Sequence, residues 1–255
     1  MRVGIPKYSN TIPLIGGLLA GEVESDIEWV REVPTTLNRL ISVGELDIGL
    51  ISTAHYLENQ SALKLLSGHC IAAVDEVQSV LLYKRNGIEK IDKVSVAITD
   101  ESASGARLLK VLAERFWNVA PHYVKLCRLE EATEFPAFLL IGDAALENPV
   151  IPGYYTVDLA TAWYEKTGLP FPFAVFAAPK VTPEVDRAMQ QIKASYEWGR
   201  RNESALIDLA KRSSPLSREQ LKGYFRLLHY RLEEEEMAGL RTFAALIEIP
   251  SDALV

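Results

Sequence analysis

The chain has 255 residues, 48% hydrophobic and 24% charged, enough to bury a full core and compatible with two lobes of about 100 to 150 residues each. A net charge of −7, with Lys and Arg scattered rather than gathered into a stripe, excludes the electrostatic footprint of a nucleic-acid partner. Two cysteines without a CxxC pair and four isolated histidines give neither a disulfide framework nor a metal site, and no apolar run of about 18 residues suggests a membrane span.

Residues 2–5 read as a first strand, residues 7–11 as a polar turn and residues 12–19 as an apolar helix. In open α/β sheets ligands gather at the carboxyl ends of strands, where such loops meet helix N-termini, so Asn10 and Thr11 stand where a small ligand is held. The competing reading is that Asn10 only caps the helix. Thr35 and Thr36 can cap the next helix, whose apolar face is Leu37, Leu40 and Ile41 and which Gly44 stops. A buried strand over residues 46–51 then ends in Ser52 and Thr53, again small hydroxyls at a strand end.

Residues 71–73 and 79–83 are strand-like runs, and the turn at residues 84–87 is the expected crossing point between lobes. A second strand and helix series starts at residues 94–97. It places Thr99, Ser102 and Ser104 at the start of a helix with Leu108, Leu109 and Leu112 on one face, where backbone N–H groups favour an anion. Asp100 and Glu101 compete with that anion unless they point away. Residues 138–141 form a strand closed by Gly142 and Asp143, and residues 173–176 carry the chain back. Beyond Pro183 the pattern is helical, with Val185, Met189, Ile192 and Tyr196 on one stripe and Leu221, Tyr224, Phe225 and Leu228 on another, both read as core packing. The run Glu233 to Glu236 reads as a solvated helix start, and Cys70 and Cys127 as small core residues. The expected division is residues 1–84 and 178–255 in one lobe and 85–177 in the other. No nucleotide loop, GxSxG elbow or kinase motif occurs, and Met1 to Pro6 lack the features of a secretory signal, so a cytoplasmic location is expected.

Several segments in order resemble the chorismate dehydratase family of the futalosine route to menaquinone: Tyr8-Ser-Asn-Thr-Ile-Pro-Leu14, Gly44-Glu-Leu-Asp-Ile-Gly-Leu-Ile-Ser52, Ser79-Val-Leu-Leu82, Leu139-Leu-Ile-Gly-Asp-Ala-Ala-Leu146, Trp163, Thr167-Gly-Leu-Pro-Phe171, Phe173-Ala-Val175 and Tyr224-Phe-Arg-Leu-Leu-His-Tyr230. The resemblance runs nearly end to end. It implies an α/β, two-lobed periplasmic-binding-protein-like fold of type II with C-terminal helices, used as a carbon–oxygen lyase on chorismate without a cofactor or metal. By the same resemblance Asn10 and Ser79 are the catalytic residues. Ser52, Thr99, Ser102, Gly142 and Asp143 are the cleft lining the resemblance implies, Tyr8 lies in the matching substrate loop, and Thr11, Thr53 and Ser104 are expected to bind substrate from their places at strand ends and helix starts.

Val74 to Gln78 depart from the small, Gly-containing run expected before that serine, which leaves the backbone route into Ser79 open. A sister family, the dihydroxynaphthoate synthases of the same pathway, is similar but carries a histidine where this chain has Gly142-Asp143. A non-enzymatic small-anion-binding protein is the alternative from another class. No His or Lys in the matching segments offers itself as a base. The enolpyruvyl carboxylate of chorismate lies close to the C3 proton and serves as proton acceptor if Asn10 and Ser79 hold it there.

Overall fold

The computed structural model describes residues 1–99 and 103–249. Apolar runs with β-branched residues form two separate sheets. The first contains β1 (Arg2–Pro6), β2 (Glu28–Glu32), β3 (Ile48–Ser52), β4 (Lys64–Ala73), β10 (Phe171–Ala178) and β11 (Leu228–Leu232), in the order β11-β4-β10-β3-β1-β2. The second contains β5 (Val80–Arg85), β6 (Ser95–Thr99), β7 (His122–Leu126), β8 (Ala137–Ile141) and β9 (Tyr154–Asp158), in the order β7-β6-β8-β5-β9. In each sheet a parallel trio meets an antiparallel strand at the centre: β10 runs against β3 and β4, and β5 runs against β8 and β9.

Helices cover these sheets: α1 (Ile12–Leu19), α2 (Pro34–Ser42) and α3 (Thr53–Glu58) among the first strands, α4 (Ala103–Val111), α5 (Gly142–Glu147) and α6 (Leu159–Thr167) among the second, and α7 (Pro183–Arg201), α8 (Glu203–Lys211), α9 (Arg218–Leu227) and α10 (Glu234–Leu246) after the chain returns. Strand β3 is buried along its whole length, as a parallel strand covered on both faces must be. Alternate residues of β5 face two cores: Val80 and Leu82 join the large one, Leu81 and Tyr83 a smaller one with Phe138 and Leu140. Behind the cleft the lobes share aromatic packing, with Trp163 of α6 in edge contact with Phe171 of β10 and Phe243 of α10 at centroid distances of 5.3 and 6.1 Å. Its indole N–H donates to the Pro170 carbonyl at 3.3 Å, so the buried polar atom is satisfied.

The two sheets and their mixed topology match the expected fold class. The crossing points lie elsewhere. The chain changes sheet between Ala73 and Val80, and again between Asp158 and Phe171, so residues 80–84 sit in the second sheet and 171–177 in the first. The turn at residues 84–87 belongs inside the second lobe, where Asn86 N–H donates to the Gly153 carbonyl. An apolar run does not say which sheet it joins; only its partners across the ladder do. Four further expectations change. Pro34 opens α2 with Val33 as an unbonded cap, so Thr35 and Thr36 lie inside the first turn. Leu228 begins strand β11 and does not continue the helical stripe. Cys127 is exposed. Glu236 is buried, accepting from the Glu233 N–H and pairing with His229 at 2.9 Å.

Candidate active site in the cleft between the sheets

The carboxyl ends of β1, β3, β6 and β8 point toward the space between the sheets, and an antiparallel strand brings its amino end to the same place. That is why Ser79, just before β5, meets loops that follow the parallel strands. The cleft holds about 620 Å³ of atom-free space, its mouth included, and Tyr8, Asn10, Ser52, Ser79, Ser104 and Gly142 all line it. Pro6, Pro34, Ile71, Val77, Phe173 and Ala174 supply apolar wall. No Lys, Arg, His, Asp or Glu stands among the described lining residues.

Asn10 lies in a one-turn 3₁₀ segment, Ser9–Thr11, ahead of α1. It caps nothing: the first residues of α1 receive no side-chain bond, and Asn10 Oδ1 is buried with no partner among the described residues. A buried acceptor left unpaired costs about 1 to 3 kcal/mol, and a ligand hydroxyl would satisfy it. Ser79 is 2% exposed, and its Oγ accepts a hydrogen bond from the Tyr224 hydroxyl at 2.8 Å. Its carbonyl accepts from the Gly142 N–H at 2.8 Å, locking the start of β5 to the end of β8.

Ser52 Oγ caps α3 by accepting from His55 N–H at 3.3 Å, and also accepts from Asn38 Nδ2 at 3.0 Å. With both acceptor positions taken, its proton is directed away from those partners. Ser104, at the start of α4, accepts from the Ala54 N–H at 3.3 Å, a bond that joins the two lobes. A second tie runs from the Ser9 N–H to Asp143 Oδ1 at 3.2 Å. Burial raises the Asp143 pKa above the ordinary carboxylate value, opposed by the Ser9 hydrogen bonds and by Arg31. The third is steric. Gly142 has φ +60°, and a Cβ there would stand 2.9 Å from the Tyr8 ring, so only glycine lets Tyr8 lie against the second lobe.

Of the remaining expected residues, Thr11, Thr53, Thr99 and Asp143 are not among those lining the cleft. Thr11 spends its hydroxyl on the Pro6 and Tyr8 carbonyls at 3.0 and 2.9 Å, pinning the loop. Thr53 and Thr99 hold buried hydroxyls without partners among the described residues. Asp143 acts between the lobes, and Ser102 lies outside the described residues.

Three contributors carried no recognisable signal. Asn38 holds Ser52 from the buried face of α2. Tyr224 sat in a helical stripe read as packing. Asp158 caps α6 through the Ala160 N–H at 2.9 Å and, with its other oxygen, accepts from the Val77 and Gln78 N–H groups at 3.0 and 2.7 Å. That carboxylate explains the unusual run before Ser79: Gln78 adopts φ +57°, where glycine is the ordinary choice, and Asp158 holds it there.

Two lobes joined by two crossings, with helix starts and small hydroxyls converging on the cleft, define the two-lobed periplasmic-binding-protein-like class. Among solved structures the chain is similar to protein AF1704 from Archaeoglobus fulgidus, with a TM-score of 0.82 at 22% identity over 97% of this chain and 96% of that one. It is also similar to the alkanesulfonate-binding protein SsuA from Xanthomonas axonopodis pv. citri bound to MOPS, with a TM-score of 0.68 at 15% identity over 98% and 94%. At the level of sequence, residues 1–248 match the family described as Menaquinone biosynthesis. The chain is 30% identical over 266 residues to a chorismate dehydratase of Thermus thermophilus, covering 97% of this chain and 95% of that protein. It is 28% identical over 181 residues to a 1,4-dihydroxy-6-naphtoate synthase of the same organism, covering 70% and 65%. The chain belongs to the menaquinone-biosynthesis family.

Proposed function

We propose that this protein is a chorismate dehydratase, a hydro-lyase that removes water from chorismate to give 3-[(1-carboxyvinyl)oxy]benzoate. The family and the chorismate dehydratase relative that spans nearly the whole chain support the reaction. The observation that carries the site is the pairing, in one cleft, of a buried unpartnered acceptor on Asn10 with the Ser79 hydroxyl.

The substrate is a dianion whose C3 proton and C4 hydroxyl leave together as water, and aromatisation of the ring supplies the driving force. The cleft answers the charge with neutral groups. The backbone N–H groups at the start of the nine-residue helix α4 lie beside Ser104 and Gly105 in the cleft wall, and helix N-termini favour anions. The Ser79 O–H donates to a substrate carboxylate, and Asn10 Oδ1 accepts from the C4 hydroxyl, holding the leaving group. The enolpyruvyl carboxylate takes the C3 proton, the electron pair spreads into the ring and its C1 carboxylate, and the same proton then leaves with the C4 oxygen as water. Such a cycle needs no protein base, so kcat need not show an enzyme pKa. The apolar wall excludes water and strengthens each hydrogen bond to the developing charge.

Incubation with chorismate, followed by ultraviolet absorbance and product mass, tests the reaction. Ser79→Ala is expected to lower kcat about 100- to 1000-fold, the usual cost of one preorganised donor, with the melting temperature little changed. Asn10→Asp keeps the shape but adds a negative charge beside a dianion, so binding weakens and turnover collapses. Near wild-type rates in both folded variants would show that the site lies elsewhere.

A further inference from the structure

Tyr224 lies on α9, in the C-terminal part of the chain, and is 2% exposed and absent from the cleft wall. It lies behind the cleft wall rather than in it. Its hydroxyl nevertheless reaches Ser79, donating to Oγ at 2.8 Å.

We propose that Tyr224 is a positioning residue for the dehydration, its hydroxyl fixing Ser79 as a donor into the cleft. This rests on the dehydratase reading above. A serine hydroxyl has one proton and two lone pairs. The Tyr224 proton occupies one lone pair, so the Ser79 proton points away from Tyr224, and no described side chain or carbonyl receives it. The cleft is the remaining direction. Donation from the phenol also polarises the Ser79 O–H, since chained hydrogen bonds strengthen one another. Burial raises the Tyr224 pKa, so the phenol keeps its proton at any working pH. One hydroxyl from the C-terminal part of the chain thus sets the polarity of Ser79.

The test is a double-mutant cycle with Tyr224→Phe and Ser79→Ala, read by chorismate turnover and thermal melting. Tyr224→Phe is expected to lower kcat about 10-fold, less than the roughly 100-fold expected for losing the direct donor, with KM nearly unchanged. The double variant is expected to be no slower than Ser79→Ala alone, because Tyr224 acts through Ser79. A wild-type kcat in Tyr224→Phe, or losses that multiply in the double variant, overturns the proposal while leaving the dehydratase reading intact. A wild-type rate in Ser79→Ala overturns the proposal and the site assignment but not the dehydratase reading, which fails instead if the wild-type protein does not turn over chorismate. Should Tyr224→Phe fail to fold, 3-fluorotyrosine at position 224 keeps the ring and the donor and changes the phenol's acidity. Its kcat should then differ from wild type with Ser79 present and not in the Ser79→Ala background, and no change in either background overturns the proposal.

Discussion

Asp158 does more for the cleft than its position outside it suggests. One carboxylate oxygen starts helix α6 and the other receives the Val77 and Gln78 N–H groups, so a single side chain sets the turn from which Ser79 enters β5. Burial raises its pKa and the four backbone donors lower it, with burial prevailing; Asp143 is shifted in the same direction, again mainly by burial. A raised folded-state pKa means that the folded protein binds the proton more tightly than the unfolded chain. These two groups therefore make stability fall as pH rises from the ordinary carboxylate value through the raised one, and the penalty stays constant above it. Asp158→Asn removes its share. Melting temperatures measured from about pH 3 to 7, a range spanning ordinary carboxylate titration, should fall less steeply in the variant than in wild type over that window. An unchanged difference at every pH would mean that the carboxylate titrates alike in both states.

Among the elements, helix α10 carries the described glycine with the least room for a side chain. A Cβ at Gly239 would lie 2.0 Å from the Pro170 carbonyl oxygen, which also accepts the Trp163 indole N–H. Gly239→Ala must push the helix off the turn before β10, an overpacking that typically costs about 1 to 3 kcal/mol. The denaturant midpoint should drop accordingly, and a wild-type midpoint would show that the contact relaxes freely. Much of this layer was legible beforehand. Buried β3 with Ser52 at its end, the α4 start with Ser104 and the Gly142 turn follow from apolar runs closed by small polar residues. What was not legible depended on partners distant in the chain. Nothing in residues 80–84 announces pairing with residues 137–141, and nothing about Tyr224 in an apolar stripe announces a hydroxyl 145 positions from its acceptor. Gln78 looked like a departure because the carboxylate that tolerates it lies 80 residues on. Strand β11 was hidden because its His229 and Arg231 alternate with apolar residues only across a five-residue segment inside a helical tail.

Taken as a whole, the molecule is two bodies tied front and back: the Trp163 aromatic cluster behind, and the Ser9–Asp143, Ala54–Ser104 and Tyr8–Gly142 contacts across the cleft. The connectivity behind this arrangement also orders the birth of the protein. All strands of the second sheet come from one unbroken stretch, residues 80–158, whereas the first sheet lacks its internal strand β10 until residue 178 and its edge strand β11 until residue 232. On a ribosome the chain emerges from its amino end, and domains fold as units as they become available. The amino-terminal lobe is thus begun first and completed last, with β1 to β4 waiting for a centre that has not yet been made. Hydrogen exchange on ribosome-arrested chains of about 200 residues, long enough to release residues 80–158 past the exit tunnel, should find β5 to β9 protected and β1 to β4 still exchanging. Protection appearing first in β1 to β4 would show that the unfinished sheet stands without its central strand.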